Sequence, residues 1–146
     1  MEIDTPYPPE KVVLDPIKAA ASHYGATPRK VEVEIEEHGW AQSRSCFNNA
    51  HIYVGSNPQA LYVLGYLSLE GMPIEHAWVK NIVYKDVTLK KATAPLGLKY
   101  FSLFELTYEE LVALIVKYET VPSLYECYRY RLLNPNTLIG NTNEHN

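Results

Sequence analysis

Ser45-Cys46-Phe47-Asn48-Asn49-Ala50, followed by Glu75-His76-Ala77-Trp78-Val79 and then Lys85-Asp86-Val87-Thr88, is the stretch on which the fold turns. Cysteine, histidine and acid come in that order, thirty and then ten positions apart. A thiol becomes a strong nucleophile when an imidazole takes its proton, and the imidazole works best when a third group fixes its tautomer. Cys46 stands where a helix is expected to begin, with Ser45 or Ser43 as cap. A helix N-terminus favours the thiolate through its dipole and unpaired amides. The spacing predicts a helix from Cys46 to about Val54, closed by Gly55-Ser56-Asn57-Pro58.

Downstream, Ala60 to Leu69 is rich in Leu, Tyr and Val and reads as a strand. Glu70-Gly71-Met72-Pro73 reads as a turn, Ile74 to Lys80 as the returning strand, and Ile82 to Leu89 as a third. Adjacent antiparallel strands set residues of one face side by side, so His76 and Asp86 are expected to meet. Upstream, Asp15 and Pro16 open a helix reaching Tyr24, stopped by Gly25. Lys30 to Glu36 alternates apolar and charged residues, as a half-buried or edge strand does. Residues 90–100 read as irregular. Thr107-Tyr108-Glu109-Glu110 is a capping-box pattern before an apolar run, predicting a helix from Tyr108 to about Tyr118. Val121-Pro122-Ser123 breaks it, and Leu124 to Leu133 suits a strand or a short helix. The expected fold class is α+β in one domain spanning 1–146, with an irregular arm at 1–10 and a flexible tail at 135–146.

A chain of 146 residues, 47% apolar and 21% charged, has the balance of a globular domain able to bury a core. Its net charge of -4 argues against a nucleic-acid partner, which needs clustered Lys and Arg. Lys85, Lys90, Lys91 and Lys99 read as a solvated face. No apolar run approaches the ~20 residues that span a bilayer, so no membrane partner is expected. The opening Met1-Glu2-Ile3-Asp4-Thr5-Pro6 lacks the basic and apolar regions of a secretory leader, which predicts a cytoplasmic location. Two cysteines, Cys46 and Cys127, make no disulfide framework. His23, His38, His51 and His145 have no regular ligand spacing, so neither a metal nor another cofactor is expected.

The residues resemble a known family. A helix-borne Cys46-Phe47-Asn48-Asn49-Ala50, a strand carrying His76-Ala77-Trp78-Val79 and a strand carrying Asp86-Val87-Thr88 are similar to the transglutaminase-like branch of the papain-like cysteine hydrolases. The likeness covers about residues 40–90. It implies a nucleophile helix packed on an antiparallel sheet and a catalytic triad of Cys46, His76 and Asp86. It also implies chemistry on amide, peptide or isopeptide bonds through a thioester. Many members carry a tryptophan ahead of the acid and a proline after it; here Tyr84 and Val87 stand in those places. Asn81 is the alternative orienting residue.

The resemblance also implies that the backbone amide of Cys46 is one oxyanion donor, with Gln42, or failing it Asn48, as the second. Trp40 is either a wall of the substrate groove or a surface-loop anchor. Trp78, two positions from His76 on the same strand face, lines the cleft or fills the core. Cys127, among tyrosines, reads as packing. The expected partner is a protein or peptide substrate. A catalytically idle binding module on the same scaffold, gripping a partner through a tyrosine-rich surface, is the alternative, and a cell-wall amidase is a third.

Overall fold

The computed structural model describes residues 10–136; the expected arm, but for its last residue, and all of the expected tail beyond Asn136 lie outside them. Among the described residues four helices and six strands form an α+β fold: α1 (Glu10–Ser22), β1 (Arg29–Val31), β2 (Val33–Ile35), α2 (Cys46–Ser56), β3 (Leu61–Leu69), β4 (Met72–Asn81), β5 (Val83–Asp86), β6 (Lys99–Leu106), α3 (Tyr108–Tyr118) and α4 (Leu124–Leu133). No described helix is long and apolar enough to cross a membrane.

The sheet order is β1-β6-β3-β4-β5-β2. The stretch expected as one edge strand is two short strands separated by Glu32. β1 pairs antiparallel with β6 and β2 pairs parallel with β5. One extended segment thus borders both ends of the sheet and makes it curl. The sheet is mixed rather than purely antiparallel, and its two edges are the short strands β1 and β2.

Curling buries both faces. On the outer face Tyr62, Leu64, Ala77, Val79 and Phe101 form the main core with Ile17 and Ala21 of α1, Ala50, Tyr53 and Val54 of α2, and Leu111 and Leu114 of α3. On the inner face Val31, Val63, Leu67, Trp78 and Tyr100 form a second core. Glu105 lies on this inner side, where its Oε2 accepts hydrogen bonds from Arg29, Tyr84 and Ser102 and ties β1, β5 and β6 together. Strands buried on both sides lose alternation. That is why Leu61–Leu69 is apolar almost throughout, and why β6, which follows the stretch expected to be irregular, escapes a search for alternation. The β3–β6 register shifts between Leu64 and Gly65. A Cβ on Gly65 would sit 1.9 Å from the carbonyl oxygen of Phe101 and 3.0 Å from the Trp78 ring, so only glycine fits.

Local chemistry sets the remaining boundaries. Glu70 and Gly71, at φ 51° and 84°, make a two-residue hairpin turn. Met72 and Pro73 therefore belong to β4, opposite Leu69 and Ser68, and not to the turn. α1 begins at Glu10, ahead of the expected Asp15 cap, and Pro16 lies inside it. α2 runs through Gly55 to Ser56 rather than stopping at Val54. α3 has the expected capping box between Thr107 and Glu110. Residues 124–133 are helical, and the first amide of α4 donates to Glu75 of β4 at 2.8 Å.

Candidate active site

Cys46 is the first residue of α2, whose N-cap Ser45 makes no side-chain capping bond and whose first turn holds no acid. The helix ladder starts with Asn49 N–H donating to Ser45 O at 2.8 Å. Asn49 is fully buried and acts as a clamp. Its Oδ1 accepts from the Gln42 amide at 3.0 Å, and its Nδ2 donates to Gln42 O at 2.8 Å and to Thr88 Oγ1 at 3.0 Å. One amide thus joins the loop before Cys46, α2 itself and the turn after β5.

His76 projects from the inner face of β4 and is only 6% exposed. Trp78 stacks beside its ring at 6.1 Å, and Tyr100 meets it edge-on at 6.3 Å. Its Nε2 faces Asp86 Oδ2 at 2.8 Å. Asp86 is fully buried at the end of β5. The same Oδ2 accepts from the Tyr100 hydroxyl at 2.7 Å, and Oδ1 accepts from the amides of Thr88 and Leu89 at 2.9 and 3.0 Å. This side-chain turn ends β5 at Asp86 instead of carrying the strand to Leu89. Four hydrogen bonds fix the carboxylate.

The electrostatics follow from these contacts. Burial alone would depress His76, but Asp86 and then the Cys46 side chain outweigh it, and the imidazole is pushed up to about 9. Burial would raise Asp86, yet His76, the Leu89 amide and Tyr100 hold it below the usual carboxylate range. Burial and the adjacent Asp86 raise Tyr100, keeping it a hydroxyl donor. His76 and Asp86 therefore form a buried ion pair at neutral pH. With Nε2 committed to Asp86, Nδ1 is the ring nitrogen left for the sulfur. Cys46 and His76 share a pocket of about 230 Å³ with Ser43, Arg44, Thr88, Leu89, Lys90 and Thr93.

The three residues picked out in order along the chain are thus brought together; Asn81, Gln42 and Asn48 are placed elsewhere, whereas Trp78 and Cys127 pack inside and Trp40 is the surface-loop anchor. Asn81 donates to the Tyr53 hydroxyl at 2.9 Å and does not orient His76. Trp78 is wholly buried in the inner core and walls no cleft. Trp40 stacks on His38 at 5.0 Å, and His38 is paired with Glu36 at 2.8 Å, so Trp40 anchors a surface loop outside the pocket lining. Gln42 and Asn48 are exposed and are not among the residues that line the pocket. Cys127 is fully buried, and burial raises its thiol well above the ordinary range.

Tyr100 and Asn49 are the site residues that sequence reasoning missed. Asn49 had a signal, a polar residue three positions after Cys46 on the buried side of a helix. Tyr100 had none, because its strand was not recognised. Among the described residues no group of three or more His, Cys, Asp or Glu is placed to hold a metal ion. The chain matches no family model, and no curated protein or solved structure is significantly similar to it.

Proposed function

We propose that the protein is a cysteine-nucleophile hydrolase or acyltransferase acting on an amide, peptide or isopeptide bond of a protein or peptide substrate. The reading includes kinship with the transglutaminase-like branch of the papain-like fold. The observation that carries it is the meeting of Cys46 and His76 in one pocket, with the His76 ring held by a buried Asp86 at 2.8 Å. A cytosolic setting is part of the proposal, supported by two free cysteines.

The Cys46 sulfur, at the first residue of α2, shares the pocket with the His76 imidazole that can exchange a proton with it. The sulfur attacks the carbonyl carbon and forms a C–S bond, and the electron pair moves to the oxygen, which the Cys46 amide receives. His76 passes its proton to the leaving nitrogen as the C–N bond breaks, giving an amine and a thioester. Water or an amine then attacks the thioester while His76 takes a proton. The C–S bond breaks, releasing acid or new amide and restoring the thiolate. Asp86 keeps the ring oriented and compensates its charge throughout.

The test is the rate of alkylation by iodoacetamide across pH, with Cys46→Ala as control. Cys127 is buried, so fast labelling reports on Cys46. Wild type is expected to label rapidly near neutral pH and the variant not at all. Labelling at the rate of an ordinary thiol would overturn the reading and favour a catalytically idle binding module.

A further inference from the structure

We infer that this site takes an anionic acyl donor: a peptide with an acidic residue beside the bond attacked. The inference rests on the nucleophile reading above and concerns what enters the pocket. Arg44 and Lys90 line the pocket along with Cys46 and His76, and no aspartate or glutamate does. The chain as a whole carries a net charge of -4, so a cationic lining runs against the overall balance. The one acid of the site, Asp86, is buried with all four of its hydrogen bonds made inside the protein. Glu37, the carboxylate bonded to the neighbouring Lys91 amide at 2.8 Å, is not part of the lining.

Both cations are exposed and enter from opposite sides of the sulfur along the chain. Arg44 lies two residues before Cys46 and holds a left-handed backbone, φ 63°, in the loop that Asn49 clamps. Lys90 directly follows the turn bonded to Asp86. Neither Arg44 nor Lys90 has an ion-pair partner among the described residues. Two unpaired cations at the mouth of a small pocket attract a carboxylate on the incoming acyl donor and repel a basic one.

Paired alkylating agents isolate this effect. Iodoacetate and iodoacetamide differ by one negative charge and attack the same sulfur. The ratio of their second-order rate constants, iodoacetate over iodoacetamide, is measured for wild type and for Arg44→Gln, Lys90→Gln and the double variant. His76 is present in every form, so its charge does not change the comparison. The ratio is expected to fall about threefold for each charge removed, the size expected of a unit charge several ångströms away at a solvated rim. Lys117→Gln, on α3, is expected to keep the wild-type ratio. Salt near ~1 M is expected to reduce the wild-type ratio without any substitution. A ratio that is the same in wild type and double variant, and insensitive to salt, overturns the anionic donor while fast iodoacetamide labelling still stands for the nucleophile. Slow labelling by both reagents overturns the nucleophile reading, and this inference with it.

Discussion

The Tyr100 hydroxyl donates to Asp86 Oδ2 across 2.7 Å, joining β6 to the end of β5 inside the curled sheet. Asp86 would be a costly buried charge without such donors. With Tyr100, His76 and two amides around it, it is a fixed acceptor. Tyr100→Phe removes one donor and leaves the ring in place. We expect a loss of about 1–3 kcal/mol, since the bond is to a charged group. The check is a lower urea midpoint at an unchanged m-value.

Asp86→Asn replaces the anion by an amide. His76 then keeps its burial, which disfavours charge, and loses the larger of the two groups that oppose it, with Cys46 remaining. Its titration point, read by NMR, is expected to fall from about 9. Iodoacetamide labelling of Cys46 at pH 6–7 is expected to slow by roughly a hundredfold or more, as the tautomer is no longer held. A variant that titrates and labels like wild type would show that Asp86 does not set the state of His76.

The ion pair makes stability depend on pH in a definite direction. His76 is raised from 6.5 unfolded to about 9 folded. Its contribution, on the order of 3 kcal/mol, is complete below pH ~6.5 and is lost as pH rises through about 9. Asp86 is lowered from 3.8, so its contribution is present above that value and is lost as pH falls through the folded one. The stability difference between wild type and His76→Gln should be steady from about pH 4 to 6.5 and shrink from there to about 9. A difference that grows toward alkaline pH contradicts the assignment.

Asn49→Ala deletes three hydrogen bonds at a fully buried position. The backbone groups of Gln42 lose their partner, and the loop that delivers Cys46 loses its attachment to the 86–89 turn. We expect about 2–4 kcal/mol of destabilisation together with slower Cys46 labelling. Both are read on one purified sample, by denaturant melt and by alkylation.

Gly65→Ala tests the curl. The added methyl meets a backbone oxygen at 1.9 Å, and backbone of a neighbouring strand cannot swing aside as a side chain does. Destabilisation above ~3 kcal/mol is expected, seen as a large drop in Tm or loss of folded protein. A near-neutral Tm would mean that β3 and β6 do not pack as described.

Much of the local structure was legible in the chain. The capping box at Thr107 and Glu110 announces α3 because both partners lie within one turn. The order of Cys46, His76 and Asp86 marked the site because each residue sits in its own short pattern. The β4–β5 pairing, Val79 opposite Lys85 and Lys80 opposite Tyr84, brings the histidine and acid strands together over a short hairpin. Asn81 opposite Val83 leaves Ile82 alone at that turn, at φ 69°. By contrast, Lys30–Glu36 looked like one edge strand, since alternation reports burial of a face and says nothing of which neighbour covers it.

The sequence by itself therefore determined the α+β class, the helix carrying Cys46, the hairpins and which three side chains, Cys46, His76 and Asp86, meet around the pocket, because these rest on turn chemistry, capping and short-range pattern. Only the tertiary structure decided that the 29–35 segment borders both ends of the sheet, that Tyr100 and two amides hold Asp86, and that Asn49 ties the cysteine loop to the acid turn. Those contacts join residues 39 positions apart in the case of Asn49 and Thr88, and 14 in the case of Tyr100 and Asp86. They depend on strand register and on which elements come to lie beside each other across the sheet, and neither leaves a local trace in the order of the amino acids.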